Sequence, residues 1–306
     1  MISILLPIYN YNCSKLIQEL HRQAVNIGIP FEIIAMEDGS EKYIQYNRAI
    51  TEKLNCRYIL LPHNIGRSAI RNLLASEARY EWLLYMDCDS RLPNEDFILR
   101  YLEEAGKEKW DVICGGRIFE ERSKITKDYL LHWYCGTQRE PQADRDNQER
   151  PFLSNNFLIR KRIFNSVKFE EELKGYGHED TLFGIALKRE GIEIHYMNNP
   201  VLHEGLDSNE AFLIKSRVAV ANLRTLKEQF LHPDDYRQIK LLFVYEKLHN
   251  YRLTPLIRWG YKLTSAFIEK QLKSEKPILY LFDFYKIGLL CKVMIADRPP
   301  LRKTDH

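Results

Sequence analysis

The sequence predicts an α/β fold, a doubly wound and mostly parallel sheet flanked by helices, followed by a helical C-terminal region. Two observations lead to it. Short, mostly apolar runs of the kind found in strands covered on both faces recur before residue 117. They alternate with stretches of helical periodicity, which is typical of parallel sheets. The predicted strands are Ile2–Ile8, Phe31–Met36, Cys56–Leu61, Trp82–Asp87 and Asp111–Gly116.

The intervening segments carry helix signals. Ser14–Gly28 has apolar residues at helical spacing, with Ser14 as a candidate N-cap and Gly28 as a stop. Gly66–Tyr80 and Asn94–Ala105 have the same character. From about Ser208 the pattern is helical almost to the end of the chain. We therefore expect a sheet-containing domain over residues 1–207 and a helical region over residues 208–306.

Bulk composition excludes several classes of protein. A formal net charge of +3, from 45 basic and 42 acidic residues, is too small to indicate a nucleic acid partner. The six cysteines are scattered without C-x-x-C spacing, which argues against a cysteine-based zinc site and favours a reducing compartment. The start "MISILLPIYN" lacks the features of a signal peptide, so we expect the first strand of a cytoplasmic protein.

Polar residues follow the predicted strands. The strand ends read "PIYN", "MEDGS", "PHNIGRS" and "MDCDS". Ligands of such sheets bind beyond the carboxyl ends of the strands, where these residues should collect. Asp87 and Asp89 are the main candidates, because extended backbone would point both carboxylates the same way. Like charges repel unless a cation lies between them or one of them takes up a proton. Hard oxygen ligands favour Mg²⁺ or Mn²⁺.

Further candidates follow along the chain. Glu37 and Asp38 end a second strand and are placed to accept hydrogen bonds from a ribose or base, although a tight turn also explains Asp38. Arg67 and Arg71 lie on one face at the start of a helix, a natural phosphate environment. The alternative for Arg71 is that it braces a nearby carboxylate.

Two acidic and two histidine side chains complete the set. His178, Glu179 and Asp180 precede or open a helix, where acidic residues also serve ordinary helix-dipole chemistry. His203, in "PVLHEG", is either a structural histidine or a further metal ligand.

Taken together and in order, these elements resemble an inverting family 2 glycosyltransferase of the GT-A fold. The resemblance covers about the first 205 residues, through "SILLPIYNY", "MEDGS", "NIGRSAIRNLLASEA", "YMDCDS", "SNNFLIRKRIF" and "KGYGHEDTLFGIALKREG". The chain departs from the family pattern at Glu37, where aspartate is usual, and at His178, where glycine is common.

The resemblance implies a nucleotide-activated sugar donor, most often a UDP-sugar, and an acceptor hydroxyl on a glycan or lipid-linked molecule. It implies Asp180 as the general base, and Mn²⁺ or Mg²⁺ held by Asp87, Asp89 and His203. The nucleotide-binding residues that it implies are Pro7, Tyr9, Glu37, Asp38, Arg67 and Asp87. Two alternatives are a nucleotidyltransferase on a related sheet, disfavoured because "PIYNYNCSK" has no glycine, and an inactive carbohydrate- or partner-binding homologue.

Two segments are left with more than one interpretation. Trp133–Pro151 is polar and predicts either a disordered surface loop or a lid ordered by substrate. Lys276–Lys303 is apolar over about twenty residues, the length of a membrane span, but Asp283, Lys286 and Lys292 interrupt it. It predicts a core or dimer helix first, and peripheral contact with the inner face of the membrane second.

Overall fold

The computed structural model describes residues 1–54, 56–140 and 150–295, and it contains an α/β domain followed by helices. The strands are β1 (Ile2–Ile8), β2 (Phe31–Glu37), β3 (Arg57–Leu60), β4 (Trp82–Met86), β5 (Ser90–Arg91), β6 (Val112–Cys114), β7 (Arg117–Ile118), β8 (Asn156–Arg160), β9 (Ile194–Tyr196) and β10 (Val201–His203).

Helices cover both faces of the sheet and make up the C-terminal part. They are α1 (Ser14–Ile27), α2 (Ile44–Lys53), α3 (Arg67–Glu77), α4 (Phe97–Gly106), α5 (Leu130–Arg139), α6 (Lys161–Val167), α7 (Glu179–Arg189), α8 (Asn209–Thr225), α9 (Lys240–Asn250), α10 (Thr254–Leu272) and α11 (Leu279–Val293). The predicted α/β class, with its mostly parallel sheet and helical C-terminus, is confirmed.

The central sheet has the strand order β3-β2-β1-β4-β8-β6-β9. The first four of these strands are parallel, and β8 is antiparallel to both of its neighbours. The chain winds outward from β1 to β3 and then returns to place β4 on the other side of β1. The carboxyl ends of β1 and β4 therefore meet at a topological switch point, where such sheets bind ligands.

Alternate residues of β1 point to opposite faces of the sheet, and both faces are covered. Ile4 and Leu6 pack in one apolar cluster with α1 and α4, while Leu5 packs in another with α3, α6 and α7. Burial on both faces explains why the strands appear in the sequence as almost continuous apolar runs.

A second, three-stranded sheet has the order β5-β10-β7. In it β10 pairs antiparallel with β5, so that His203 lies opposite Ser90. This pairing brings a histidine from far along the chain next to the segment that follows β4.

Three sequence predictions need correction. The N-cap of α1 is Cys13 rather than Ser14, whose backbone N–H and hydroxyl both donate to Asn12 Oδ1. The segment Trp133–Pro151 is not a loop throughout, because its first seven residues belong to α5; residues 141–149 lie outside the described part. The chain after β4 turns at Cys88 and Asp89, so the alternation of an extended strand does not apply to the two aspartates.

The C-terminal helices pack on the rest of the protein. One cluster joins Leu182 and Ile185 of α7 to α8, α9 and α11, and another joins Leu131 of α5 to α8, α10 and α11. Helix α11, from the long apolar segment of the sequence, buries Phe282, Tyr285 and Leu290 among these elements. Within residues 1–54, 56–140 and 150–295, none of the helices combines the length and apolar character needed to cross a bilayer.

Candidate functional site

Residues at the switch point of the sheet form the first part of the site. Pro7 is half-buried within β1, and Tyr9, which follows this strand, is exposed. The last residue of β1, Ile8, pairs with Glu37 at the end of β2. An exposed aromatic ring beside two strand ends is suited to contact a flat, partly polar ligand such as a nucleoside.

Glu37 is completely buried, and only one of its two carboxylate oxygens accepts hydrogen bonds from the described residues. Its Oε1 accepts hydrogen bonds from Asn47 Nδ2 at 2.8 Å and from the Tyr58 hydroxyl at 3.2 Å. Its Oε2 is buried without a hydrogen-bond partner among the described residues. A buried carboxylate oxygen without a partner is costly, and it is a suitable acceptor for an N–H or O–H group of a ligand.

Asp38 holds the loop that leads into α3. Its two carboxylate oxygens accept hydrogen bonds from the backbone N–H groups of Ile65, at 2.7 Å, and Gly66, at 3.2 Å. Burial raises the pKa of Asp38, while these two N–H groups oppose the rise. Gly39 makes the close approach possible, because a β-carbon there would lie 2.4 Å from the backbone nitrogen of Asn64.

Asp87 forms an ion pair with a buried arginine. Its Oδ1 accepts a hydrogen bond from Arg71 Nη2 at 2.8 Å, and Arg71 is 2% exposed. Tyr85 of β4 donates to the backbone carbonyl of Arg71 at 2.7 Å, which fixes α3 against the strand. Of the two roles considered for Arg71, bracing a carboxylate is therefore the one observed.

Asp89 and His203 lie together on the other side of the turn after β4. The distance from His203 Nδ1 to Asp89 Oδ1 is 3.5 Å. Asp89 Oδ1 and His203 Nε2 are both buried without a hydrogen-bond partner among the described residues. The carboxylate also abuts Gly205, where a β-carbon would lie 2.0 Å from Asp89 Oδ2.

Asp89 and His203 supply donor atoms of the kinds that divalent cations take, a carboxylate oxygen and an imidazole nitrogen. The 3.5 Å contact joins Asp89 to Nδ1 of His203, whereas the nitrogen left without a partner is Nε2. Among the residues that the structure describes, no three His, Cys, Asp or Glu side chains form a group able to hold a metal by themselves. A cation bound to Asp89 and His203 would therefore take its other ligands from water and from a bound diphosphate.

Asp180, in the first turn of α7, has the electrostatic character of a general base. Burial first, and the neighbouring Glu179 second, raise its pKa to about 6. Its Oδ1 accepts a hydrogen bond from the backbone N–H of Thr181 at 2.7 Å. A carboxylate whose pKa lies near neutrality is better suited to take a proton than one with an ordinary pKa.

Arg67 is held by Glu179. Its Nε lies 2.6 Å from Glu179 Oε1, and its guanidinium lies 5.5 Å from the centre of the Tyr176 ring. Burial alone would lower the pKa of Arg67, but Glu179 and Asp87 raise it above its usual value. Arg67 therefore remains charged, and it interacts electrostatically with both Glu179 of α7 and Asp87 after β4.

Some residues around the site carry little signal in the sequence. Asn47 donates to Glu37 from the interior of α2, and Tyr11 has its pKa raised to about 12 by burial and by Asp89. His132 of α5 accepts a hydrogen bond from the backbone N–H of Asp207 at 2.9 Å and lies 5.5 Å from the His203 ring. Burial and His203 lower the pKa of His132 to about 3, so this ring is neutral.

Nothing local in the sequence indicates these three neighbours, whereas Gly205 does mark the close approach of backbone to Asp89.

The chain is similar to known proteins in sequence and in fold. The sequence profile described as "Glycosyl transferase family 2" matches residues 3–168. A chondroitin synthase of Pasteurella multocida (strain Pm70) is 24% identical over 225 residues, which are 62% of this chain and 23% of that protein. The chain spans 20–38% of the length of the curated relatives that it matches.

Two solved structures share the fold. The mannosyltransferase PcManGT from Pyrobaculum calidifontis, in complex with GDP-Man and Mn²⁺, superposes with a TM-score of 0.55 at 11% identity, covering 96% of this chain and 84% of that one. S. aureus TarS 1-349 in complex with UDP-GlcNAc gives a TM-score of 0.52 at 17% identity, covering 96% and 90%. The GT-A fold expected from the sequence is confirmed.

Proposed function

Because the chain belongs to glycosyl transferase family 2, we propose that it is an inverting enzyme that moves a sugar from a nucleoside diphosphate sugar to an acceptor hydroxyl. The observation that carries the proposal is the pair of buried polar atoms without partners, Asp89 Oδ1 and His203 Nε2. They belong to two residues that the sequence independently suggests as metal ligands.

Asp89 and His203 would hold Mn²⁺ or Mg²⁺, and Asp87, fixed by Arg71, would lie beside the ribose and the metal. A bound divalent cation would neutralise the charge that develops on the diphosphate leaving group. Both proteins in the structural comparison were crystallised with a nucleotide sugar, one of them with Mn²⁺, and this supports the assignment.

The nucleoside would lie over the switch point. Tyr9 would contact it, and the free Oε2 of Glu37 would accept a hydrogen bond from it. Asp38 would act by shaping the loop before α3. Arg67 would contribute positive charge near the phosphates, where the negative charge of its partner Glu179 partly offsets it. We propose UDP as the nucleotide, supported by the complex of TarS with UDP-GlcNAc.

Asp180 would remove the proton of the acceptor hydroxyl as that oxygen attacks the anomeric carbon. The bond from this carbon to the diphosphate breaks on the opposite face, so the configuration inverts in one displacement that needs no protein nucleophile. The acceptor would be a glycan or lipid-linked molecule, bound with the help of the helical region over residues 208–306.

The direct test is the thermal shift of the protein with UDP, with Mn²⁺ and with both. Ligands that bind as a unit raise the melting temperature together by more than the sum of their separate effects. We expect this synergy in the wild type and its loss in Asp89→Asn. The exposed Glu103→Gln variant, which removes an acidic charge from the surface of α4, should retain it.

Absence of synergy with UDP, GDP and dTDP alike would contradict the proposal. A screen of donor hydrolysis with UDP-, GDP- and dTDP-sugars then identifies the nucleotide. Preference for GDP would keep the transferase assignment and overturn the choice of UDP.

A further inference from the structure

Helix α10 exposes large apolar side chains on its solvent face. Leu256, Trp259, Leu263 and Phe267 are 60%, 61%, 63% and 70% exposed. Spacings of three and four residues place them on one side of the helix, and we call these four residues the α10 stripe. The opposite side of α10, including Tyr261, packs in the C-terminal core. The helix is therefore apolar on two faces, and only one of them is covered within the described chain.

Exposed apolar surface continues beyond the α10 stripe. Gln271 follows Phe267 by one helical turn, and its Oε1 accepts a hydrogen bond from the backbone N–H of Ile278 at 3.1 Å. Ile278 is itself 47% exposed. The exposed apolar surface thus runs along most of α10 and continues into the segment that leads to α11.

Positive charge accompanies the stripe. Lys270 follows Phe267 in the next turn, Lys262 is exposed on the flank of the helix beside Trp259, and Arg258 is exposed further round, nearer the covered face. None of these three is ion-paired with a carboxylate in the described residues. The acidic residue of α10, Glu269, faces elsewhere and pairs with Arg217 at 2.6 Å.

We propose that α10 docks this protein on an anionic lipid surface. The stripe would enter the boundary between headgroups and acyl chains, with Lys262 and Lys270 at the level of the lipid phosphates. A two-fold contact with a second copy would bring the same cations together without acidic partners, whereas a negatively charged bilayer complements them. The contact differs from the one that the sequence suggested, since much of the apolar surface of α11 packs in the C-terminal core.

The test is flotation of the full chain with vesicles of phosphatidylglycerol and phosphatidylcholine, compared with phosphatidylcholine alone. We expect binding to the anionic vesicles, weakened by salt, with a blue shift of tryptophan emission from Trp259. The double variant Leu263→Ser/Phe267→Ser should bind at least tenfold more weakly. Val25→Ser, which removes an apolar side chain 52% exposed on α1, should bind as the wild type does.

The charge component is tested separately. Lys262→Gln/Lys270→Gln should lower the partition coefficient on anionic vesicles by about tenfold, because each cation near such a surface adds to binding. The matched pair Lys15→Gln/Lys53→Gln, which removes two exposed cations from α1 and α2, should change it by less than about twofold.

Three results would overturn the proposal. The wild type could fail to float with anionic vesicles, or the stripe variant could float as well as the wild type. Alternatively, light scattering could find a dimer that Leu263→Ser/Phe267→Ser converts to a monomer, without vesicle binding by either, and the stripe would then belong to an interface between copies. Each measurement is independent of transferase activity, so failure here leaves the proposed function standing.

Discussion

Replacing Asp180 with asparagine should make the protein more stable above pH 6 while abolishing sugar transfer. Asparagine has nearly the same shape, and its side-chain oxygen can still accept the hydrogen bond from the N–H of Thr181. It lacks the charge that burial and Glu179 disfavour. The same property that suits Asp180 to accept a proton therefore costs folding stability.

The size of the effect follows from the pKa. The folded protein raises the pKa of Asp180 from 3.8 to about 6. One pKa unit corresponds to about 1.4 kcal/mol, so the ionised carboxylate costs about 2 to 3 kcal/mol of folding free energy. For a domain of this size that corresponds to an increase of about 3 to 5 °C in melting temperature.

The pH dependence has a definite sign. Between pH 4 and 6 the folded state retains a proton on Asp180 that the unfolded state has lost, so the stability of the wild type falls as the pH rises through this range. The asparagine variant has no such loss. Its advantage should be small at pH 4, grow up to about pH 6 and remain constant above.

Urea unfolding of both proteins between pH 4 and 8 measures the difference, and donor affinity is measured alongside by calorimetry. Asp234→Asn, at an exposed position, controls for the general effect of removing an acidic charge. We expect donor binding to persist and turnover to fall by at least a hundredfold, as for the loss of a general base. The electrostatic reasoning would be refuted if the stability difference between Asp180→Asn and the wild type were no larger at pH 8 than at pH 4. Near-normal turnover of the variant would refute the role of Asp180 as the base.

Four further changes test the neighbouring contacts. Glu179→Gln should move the acidic limb of the kcat/KM profile below about pH 6, because Glu179 raises the pKa of Asp180; an unmoved limb would contradict this. Asp89→Ala should remove the metal dependence of donor binding, as measured by calorimetry with and without Mn²⁺. Arg71→Leu should lower the free energy of unfolding by about 2 to 4 kcal/mol, since it leaves a partly buried carboxylate without its partner. Gly205→Ala should weaken metal binding with little change in circular dichroism, because the new β-carbon would displace the Asp89 carboxylate.

The five strands predicted from the sequence before residue 117 lie within one or two residues of β1, β2, β3, β4 and β6. Buried on both faces, they appear as apolar runs with polar ends, and Gly28 ends α1 as expected, in a left-handed conformation. The strand β8 has the same apolar character, and nothing local in "NFLIR" shows that it enters the sheet antiparallel between β4 and β6. Direction and order are properties of the tertiary fold.

Helix α5 was missed for a different reason. Its buried residues, among them Leu131, His132 and Cys135, lie at its start and include a polar ring, so the apolar periodicity fades where the predicted loop begins. The roles of single side chains were also beyond the sequence. Whether Arg71 meets a phosphate or Asp87 depends on which way α3 faces across the sheet. The nucleotide, metal and base assignments themselves stay predictions.

The order of the elements along the chain bears on how the specificity of this protein could be re-engineered. The residues proposed to hold the nucleotide all precede β5, whereas Asp180 and the C-terminal helices come after residue 178. A chimera could therefore exchange the later part and keep the donor, provided that it retains a histidine at the position of His203 for the proposed metal. The stacking of His132 of α5 on Phe212 of α8, with ring centres 4.4 Å apart, determines which helices must be exchanged together. Helix α5 would have to be transplanted together with α8, although β8 separates them in sequence.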